Sequence, residues 1–111
     1  MSSLYAAYVK ERENKDIIES DKGFATYIFM EDGVYIEDIY VHPEYRKTDI
    51  ASAMADEIAH IARGKGLKKL YGSVVPTARN STASLKVLLA YGFTLQNSSN
   101  NFIWFSKDIG V

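Results

Sequence analysis

The hydrophobic pattern opens with a helical period. In "SSLYAAYVKEREN", Leu4 and Tyr8 fall on one side with Tyr5 and Val9 beside them, and charges gather towards the end. A short amphipathic helix is predicted. The pattern then shortens to strand-like runs, "DIIES", "GFATYIFM" and "VYIEDIYVH", rich in β-branched and aromatic residues. "DKG" and "EDG" separate them as turn signals, which predicts an antiparallel meander, and Pro43 ends its third strand.

A long helical period follows over residues 49–63. Ile50, Met54, Ile58 and Ile61 recur on one face, and Ala51, Ala55, Ala59 and Ala62 widen it into a stripe that lets a helix lie close to a sheet. Gly64 and Gly66 supply a left-handed stop. "KKLYGSVVP" reads as a strand ended by Pro76, and "STASLKVLLAY" as a helix capped by Asn80 or Ser81 and closed by Gly92. "FTLQ" and "NFIWFSK" form a hairpin around "NSSNN". The crossover after the meander makes the third and fourth strands parallel. The expected class is therefore α/β (α+β), a mixed, mostly antiparallel sheet with helices on its faces.

Composition narrows the chemistry. A chain of 111 residues suits a single domain, spanning residues 1–111. Thirteen basic residues against fourteen acidic ones give no general attraction to nucleic acid or to a membrane surface. There is no cysteine, and His42 and His60 have no metal-ligand spacing, so no metal site is expected. With no signal peptide and no apolar run long enough to span a bilayer, a soluble cytoplasmic protein is expected.

One stretch suggests a ligand. "YVHPEYRKTDIASAMADEI" sets Arg46, Lys47 and Thr48 immediately before a helix start, where unpaired N–H groups and the dipole's positive end suit an anion such as a phosphate. An ordinary strand-to-helix loop with solvated charges fits the same residues.

The stretch "VHPEYRKTDIASAM" also resembles the pyrophosphate-binding motif of the GNAT superfamily of acyl-CoA-dependent N-acetyltransferases. That motif, R/Q-x-x-G-x-G/A, follows a strand ending V-x-P; Val41, Pro43, Tyr45, Arg46, Ile50 and Ala51 match. "NSTASLKVLLAYGF" is similar to the family's later helix through Ala83, Ser84, Lys86, Val87, Leu88, Gly92 and Phe93, with the asparagine displaced to Asn80. The likeness runs from about residue 16 to residue 107. Three departures stand out. The usual first strand is missing, Asp49 occupies the motif's glycine position, and Leu88 stands where many members place a tyrosine general acid.

The resemblance implies acetyl-CoA as acyl donor. Residues 46–51 (Arg46, Lys47, Thr48, Asp49, Ile50, Ala51) would cradle the pyrophosphate, and Tyr40 and Val41 would bond the pantetheine through their backbone. Asn80, Ser84 and Lys86 are candidates for the cofactor's other side, with capping or plain solvation as the alternative. The acceptor would be a primary amine of a small molecule or protein, attacking directly. Glu37 is the candidate base, on a strand over residues 34–41; simple alternation puts it on the face of Ile39 and Val41, with Asp38 and Tyr40 opposite. Pairing with a lysine or arginine is its other reading. Tyr91 would be either a proton donor or a core residue. A catalytically degenerate acyl-CoA-binding or protein-interaction module is the alternative function. Phe102, Ile103, Trp104 and Phe105 either complete a sheet across a homodimer or fill the core.

Overall fold

The computed structural model describes residues 3–46, 48–79 and 81–110, without the side chains of Ser81 and Ala83. Its elements are α1 (Leu4–Glu13), β1 (Asp16–Glu19), β2 (Gly23–Phe29), β3 (Gly33–Val41), α2 (Ile50–Gly64), β4 (Lys69–Val74), α3 (Ser81–Tyr91), β5 (Thr94–Ser99) and β6 (Phe102–Asp108), with one 3-10 turn at Pro43–Tyr45. Among the described residues the six strands form one sheet in the order β1-β2-β3-β4-β6-β5. Only β3 and β4 are parallel; the other neighbours are antiparallel. The expected class and strand directions are present.

The apolar stripe of α2 explains its place. Met54, Ala55, Ile58, Ala59 and Ala62 are buried against Ala25, Tyr27, Val34, Ile36 and Leu70, and the small alanines bring the helix close to the sheet. Leu85 and Leu88 add α3 to the same core. A Cβ on Gly72 would come within 2.9 Å of Leu88 Cδ2, so the tip of the Leu88 side chain occupies the space that this glycine leaves open. The stop of α2 comes from Gly66 alone: its φ is +77°, and Leu67 N–H closes back on Ala62 O at 2.9 Å.

The opening helix departs from its expected face. Leu4 and Tyr8 are exposed, and Val9 is the one buried residue of α1. The helix lies on the outer strands β1 and β2, where Val9 is the single side chain it buries. Ser3 caps it by accepting from Ala6 N–H at 2.9 Å, and Tyr5 meets Phe24 edge-on at 6.3 Å. The last hairpin also has a tighter loop than expected. Asn100 and Asn101, at φ 51° and 66°, make a two-residue turn that asparagine tolerates, so β5 runs on through residues 97–99 and β6 starts directly after the turn. In β6, Phe105 is core, while Trp104 leans on Tyr35 at 5.6 Å and Phe102 at 5.5 Å on the other face. Among the described residues no helix is long and apolar enough to cross a membrane.

Candidate active site

The central feature is a wedge between β3 and β4. Their parallel pairing covers only Gly33↔Lys69, Val34↔Leu70 and Tyr35↔Tyr71. Beyond it β3 stays with β2 as far as Val41, and β4 stays with β6 as far as Val74, so the two strands part. The cause is local. In the β2–β3 register Thr26 faces Asp38 while Tyr27 faces Ile36, which leaves Glu37 as an extra residue in a β-bulge. A bulge bends its strand and increases twist, turning the end of β3 away from β4.

The bulge also reverses the expected facing of Glu37 and leaves Asp38 where alternation put it, with Tyr40. Ile36 packs in the α2 core and so do Ile39 and Val41, three and five positions on. Glu37 and Asp38 are therefore both turned to the opposite face, where they line a pocket together with Tyr40. The alternation that put Glu37 beside Ile39 and Val41 fails because one extra residue shifts the phase.

The backbone assignment changes as well. His42 N–H donates to Lys22 O at 2.7 Å, so the Phe24–Tyr40 pair two positions back is also a hydrogen-bonded pair. Tyr40 therefore spends its backbone groups on β2. Ile39 and Val41, in the alternate pairs, point theirs into the wedge. Of the two residues expected there only Val41 qualifies, and Ile39 joins it. Arg46 Nε donates to Val41 O at 2.9 Å, with its guanidinium 5.6 Å from the Tyr40 ring centre.

At the wide end of the wedge lies the start of α2. Asp49 is its N-cap residue, and its side chain makes no capping hydrogen bond. Its carbonyl accepts from Ala53 N–H at 2.8 Å, which leaves the N–H groups of Ile50, Ala51 and Ser52 outside the helix's own ladder. Thr48 Oγ1 donates to Tyr45 O and so fixes the loop rather than reaching outward. Ile50 leans on the core, and half-buried Ala51 keeps the helix start free of bulk. Lys47 and Asn80 lie outside the described residues. Ser84 and Lys86 are exposed on α3, with no hydrogen bond or ion pair among the described residues that would bring them to this loop.

On the α1 side the carboxylates meet a lysine that sequence reasoning did not find. Lys15 Nζ donates to Glu37 Oε1 and lies 3.1 Å from Glu13 Oε1. The Glu37 hydrogen bond, then the Glu13 one, push the Lys15 pKa up from 10.5 to about 12 against the opposing effect of burial. Burial raises the Asp38 pKa, the Glu37 charge adds to it, and Lys15 opposes. Glu37 is thus a lysine partner in this structure. No local pattern announces the pair, since the partners are 22 residues apart.

Tyr91 belongs to the core reading. Its hydroxyl donates to Asp56 Oδ1 on α2 at 2.6 Å, and Lys107 Nζ donates to its carbonyl at 2.7 Å while lying 4.0 Å from the ring centre. Burial, followed by the Asp56 hydrogen bond, raises its pKa strongly, which ties the proton to Asp56. Among the described residues no three His, Asp or Glu side chains gather as a metal-binding group.

Comparisons with known proteins bear on the fold and the family. The family model described as "Acetyltransferase (GNAT) family" matches residues 7–93. A thialysine N-epsilon-acetyltransferase of Bos taurus is 36% identical over 61 residues, covering 55% of this chain and 36% of that protein. The Sus scrofa protein of the same name is 29% identical over 85 residues, covering 72% of this chain and 50% of that protein. The chain therefore spans half or less of the length of these curated relatives. Among solved structures, a PaiA N-acetyltransferase from Thermoplasma acidophilum in complex with coenzyme A superposes with a TM-score of 0.73 at 20% identity, covering 90% of this chain and 65% of that one. A GNAT acetyltransferase from Elizabethkingia anophelis with acetyl-CoA bound gives 0.66 at 18% identity, covering 95% and 86%. At these identities the structures speak to the fold, and the family model speaks to descent: the chain belongs to the GNAT acetyltransferase family.

Proposed function

We propose that this chain is an acetyl-CoA-dependent N-acetyltransferase that modifies a primary amine of a small molecule or protein. The observation that carries the reading is the wedge between β3 and β4, which opens towards the bare N-terminus of α2. Its fit to acetyl-CoA can be judged from the residues present. Backbone groups of Ile39 and Val41 that no strand pairs with suit the amides of a pantetheine arm, in the manner of an added strand, although Val41 O is engaged by Arg46 Nε. The N–H groups of Ile50 and Ala51, with Arg46 close by, suit a pyrophosphate. The two relatives solved with coenzyme A or acetyl-CoA support the same ligand.

Bound acetyl-CoA supplies an acetyl group activated as a thioester. The chain's own residues do the rest. Val41 would hold the arm through its backbone in place of Arg46, and Arg46 would then be available to the phosphates. Glu37, at the bulge, takes the proton that the amine loses, using the carboxylate oxygen that Lys15 leaves free. The cytoplasmic setting and the single-domain organisation expected from the sequence belong to the same proposal. So does a homodimer, for which β5, exposed along its whole length, is the natural seam.

Calorimetry with acetyl-CoA, followed by an amine screen that reads free thiol, tests the proposal. Absence of binding ends it. One observation favours a second reading, a binding module without turnover. Leu88 packs on Gly72 and carries no proton to donate to a departing thiolate. Binding of acetyl-CoA with no thiol released over the whole amine screen would establish that second reading.

A further inference from the structure

On the face opposite α2, α1 leaves a pocket of about 390 Å³ over β2 and β3. Thr26 and Asp38 face one another directly in the β2–β3 register, so their side chains leave the sheet on one side, about 5 Å apart at Cβ. Thr26 lines the pocket and is only 4% exposed, yet its hydroxyl has no hydrogen-bond partner among the described residues. A buried hydroxyl left in that state is unfavourable, and a ligand's donor would recover the lost hydrogen bond.

The charge around this hydroxyl favours a cation. Glu13, Glu37 and Asp38 line the pocket with one ammonium, Lys15, which is already engaged by Glu13 and Glu37. Asp38 has no ion pair or hydrogen bond among the described residues. The opposite wall is apolar. Tyr5, Phe24 and Tyr40 form a row, edge-on at 6.3 Å and then stacked at 5.7 Å, with Val9 behind. The volume lies at the small end of ligand pockets, which run from about 300 to 1,000 Å³.

We propose that this pocket is the acceptor site and that it selects small primary amines with an uncharged, apolar body. The ammonium is held between the Asp38 carboxylate and the Thr26 hydroxyl, and the body lies along Tyr5, Phe24 and Tyr40. An amino acid is rejected, because its carboxylate enters a site where the only cation is already paired. Desolvation raises the Asp38 pKa, and an ammonium against it would relieve that cost. The proposal rests on the acetyltransferase reading for the amine's fate but not for its binding.

Calorimetric titration of phenethylamine into the full chain, with phenylalanine as its carboxylate-bearing counterpart, is the test. Phenethylamine should bind at least about tenfold more tightly than phenylalanine, and Asp38→Asn should weaken it by about tenfold or more. Thr26→Val should cost about threefold or more, while Thr26→Ser, which keeps the hydroxyl, stays within about twofold. Equal affinity for the two ligands, no binding of phenethylamine, or binding indifferent to Asp38→Asn would overturn the proposal. A separate titration with acetyl-CoA keeps the two ideas apart: its failure removes the acetyltransferase reading and leaves the amine selection standing.

Discussion

The Tyr35 hydroxyl lies 2.6 Å from Ser73 Oγ, joining β3 to β4 at the level where their backbone pairing has ended. It is a side-chain pin at the apex of the wedge, seated on Trp104, whose ring centre is 5.6 Å from that of Tyr35. Tyr35→Phe keeps the ring and removes the pin. The variant should lose about 0.5–1.5 kcal/mol in urea unfolding, and Ser73→Ala a similar amount. The double variant should lose little more than either alone, since one bond is removed in each case. Full additivity would mean that the two hydroxyls act independently.

Arg46 is the cation best placed to change partners. In the ligand-free chain its Nε serves Val41 O, and its guanidinium rests near Tyr40, one loop away from the α2 N-terminus. If it moves to the pyrophosphate, Arg46→Gln should weaken acetyl-CoA binding by about tenfold at low salt and by less at high salt. An acetylated pantetheine lacking the pyrophosphate should bind the variant no more weakly than the parent chain, since the substitution also frees Val41 O. Calorimetry at two ionic strengths checks this; a loss independent of salt would assign Arg46 to holding the end of β3 only.

Much of the fold could be read from the sequence wherever an element carries a clean period and its boundary a turn residue. The α2 stripe of Met54, Ala55, Ile58, Ala59 and Ala62 is such a case, as is the stop at Gly66. The helix start after Arg46 was legible for the same reason. The carboxylate site was not. A bulge adds one residue without changing composition, so alternation misplaced Glu37, while Asp38 stands opposite Ile39 and Val41 as alternation had it. Lys15 and Thr26 reach the site through tertiary packing of α1 and β2, which no local spacing encodes. The two adjacent acids within an apolar strand were the available signal, since a regular strand would have buried one of them.

Glu37 is expected to act on chemistry more than on binding. With an amine identified by the screen, Glu37→Gln should lower kcat by about 10²–10⁴-fold while acetyl-CoA affinity changes little. Unchanged turnover would move the proton to Asp38 or to an ordered water.

Lys15 gives a stability change with a defined pH window. Its pKa is raised from 10.5 in the unfolded chain to about 12 in the fold, chiefly by the hydrogen bond to Glu37. The folded state therefore holds the proton more tightly. The stabilisation is complete below pH 10.5 and is lost as pH rises through about 12. Solvent screening keeps it small, so Lys15→Met should cost under about 1 kcal/mol at neutral pH. The difference from the parent chain should shrink towards zero in alkaline melts. A difference that persists unchanged at the alkaline end would place the effect in packing rather than charge.

Asp49 tests how the helix start meets its ligand. It stands at the N-cap of α2 with φ −87° and ψ 18°, a backbone open to any residue, so glycine is not required for the turn. Its carboxylate makes no capping bond, although a negative charge there still gains from the helix dipole. A pyrophosphate arriving at the neighbouring N–H groups would meet that charge. Because the side chain is free and exposed, solvent screens the repulsion. Asp49→Asn keeps the backbone and an equally good N-cap residue while removing the charge. It should therefore tighten acetyl-CoA binding by less than about 1 kcal/mol, with no more than a small loss of stability. Calorimetry and thermal melts on the same samples separate the possibilities. A gain of tenfold or more would mean that the carboxylate obstructs the site. A loss of affinity would mean that it positions the loop that receives the phosphates.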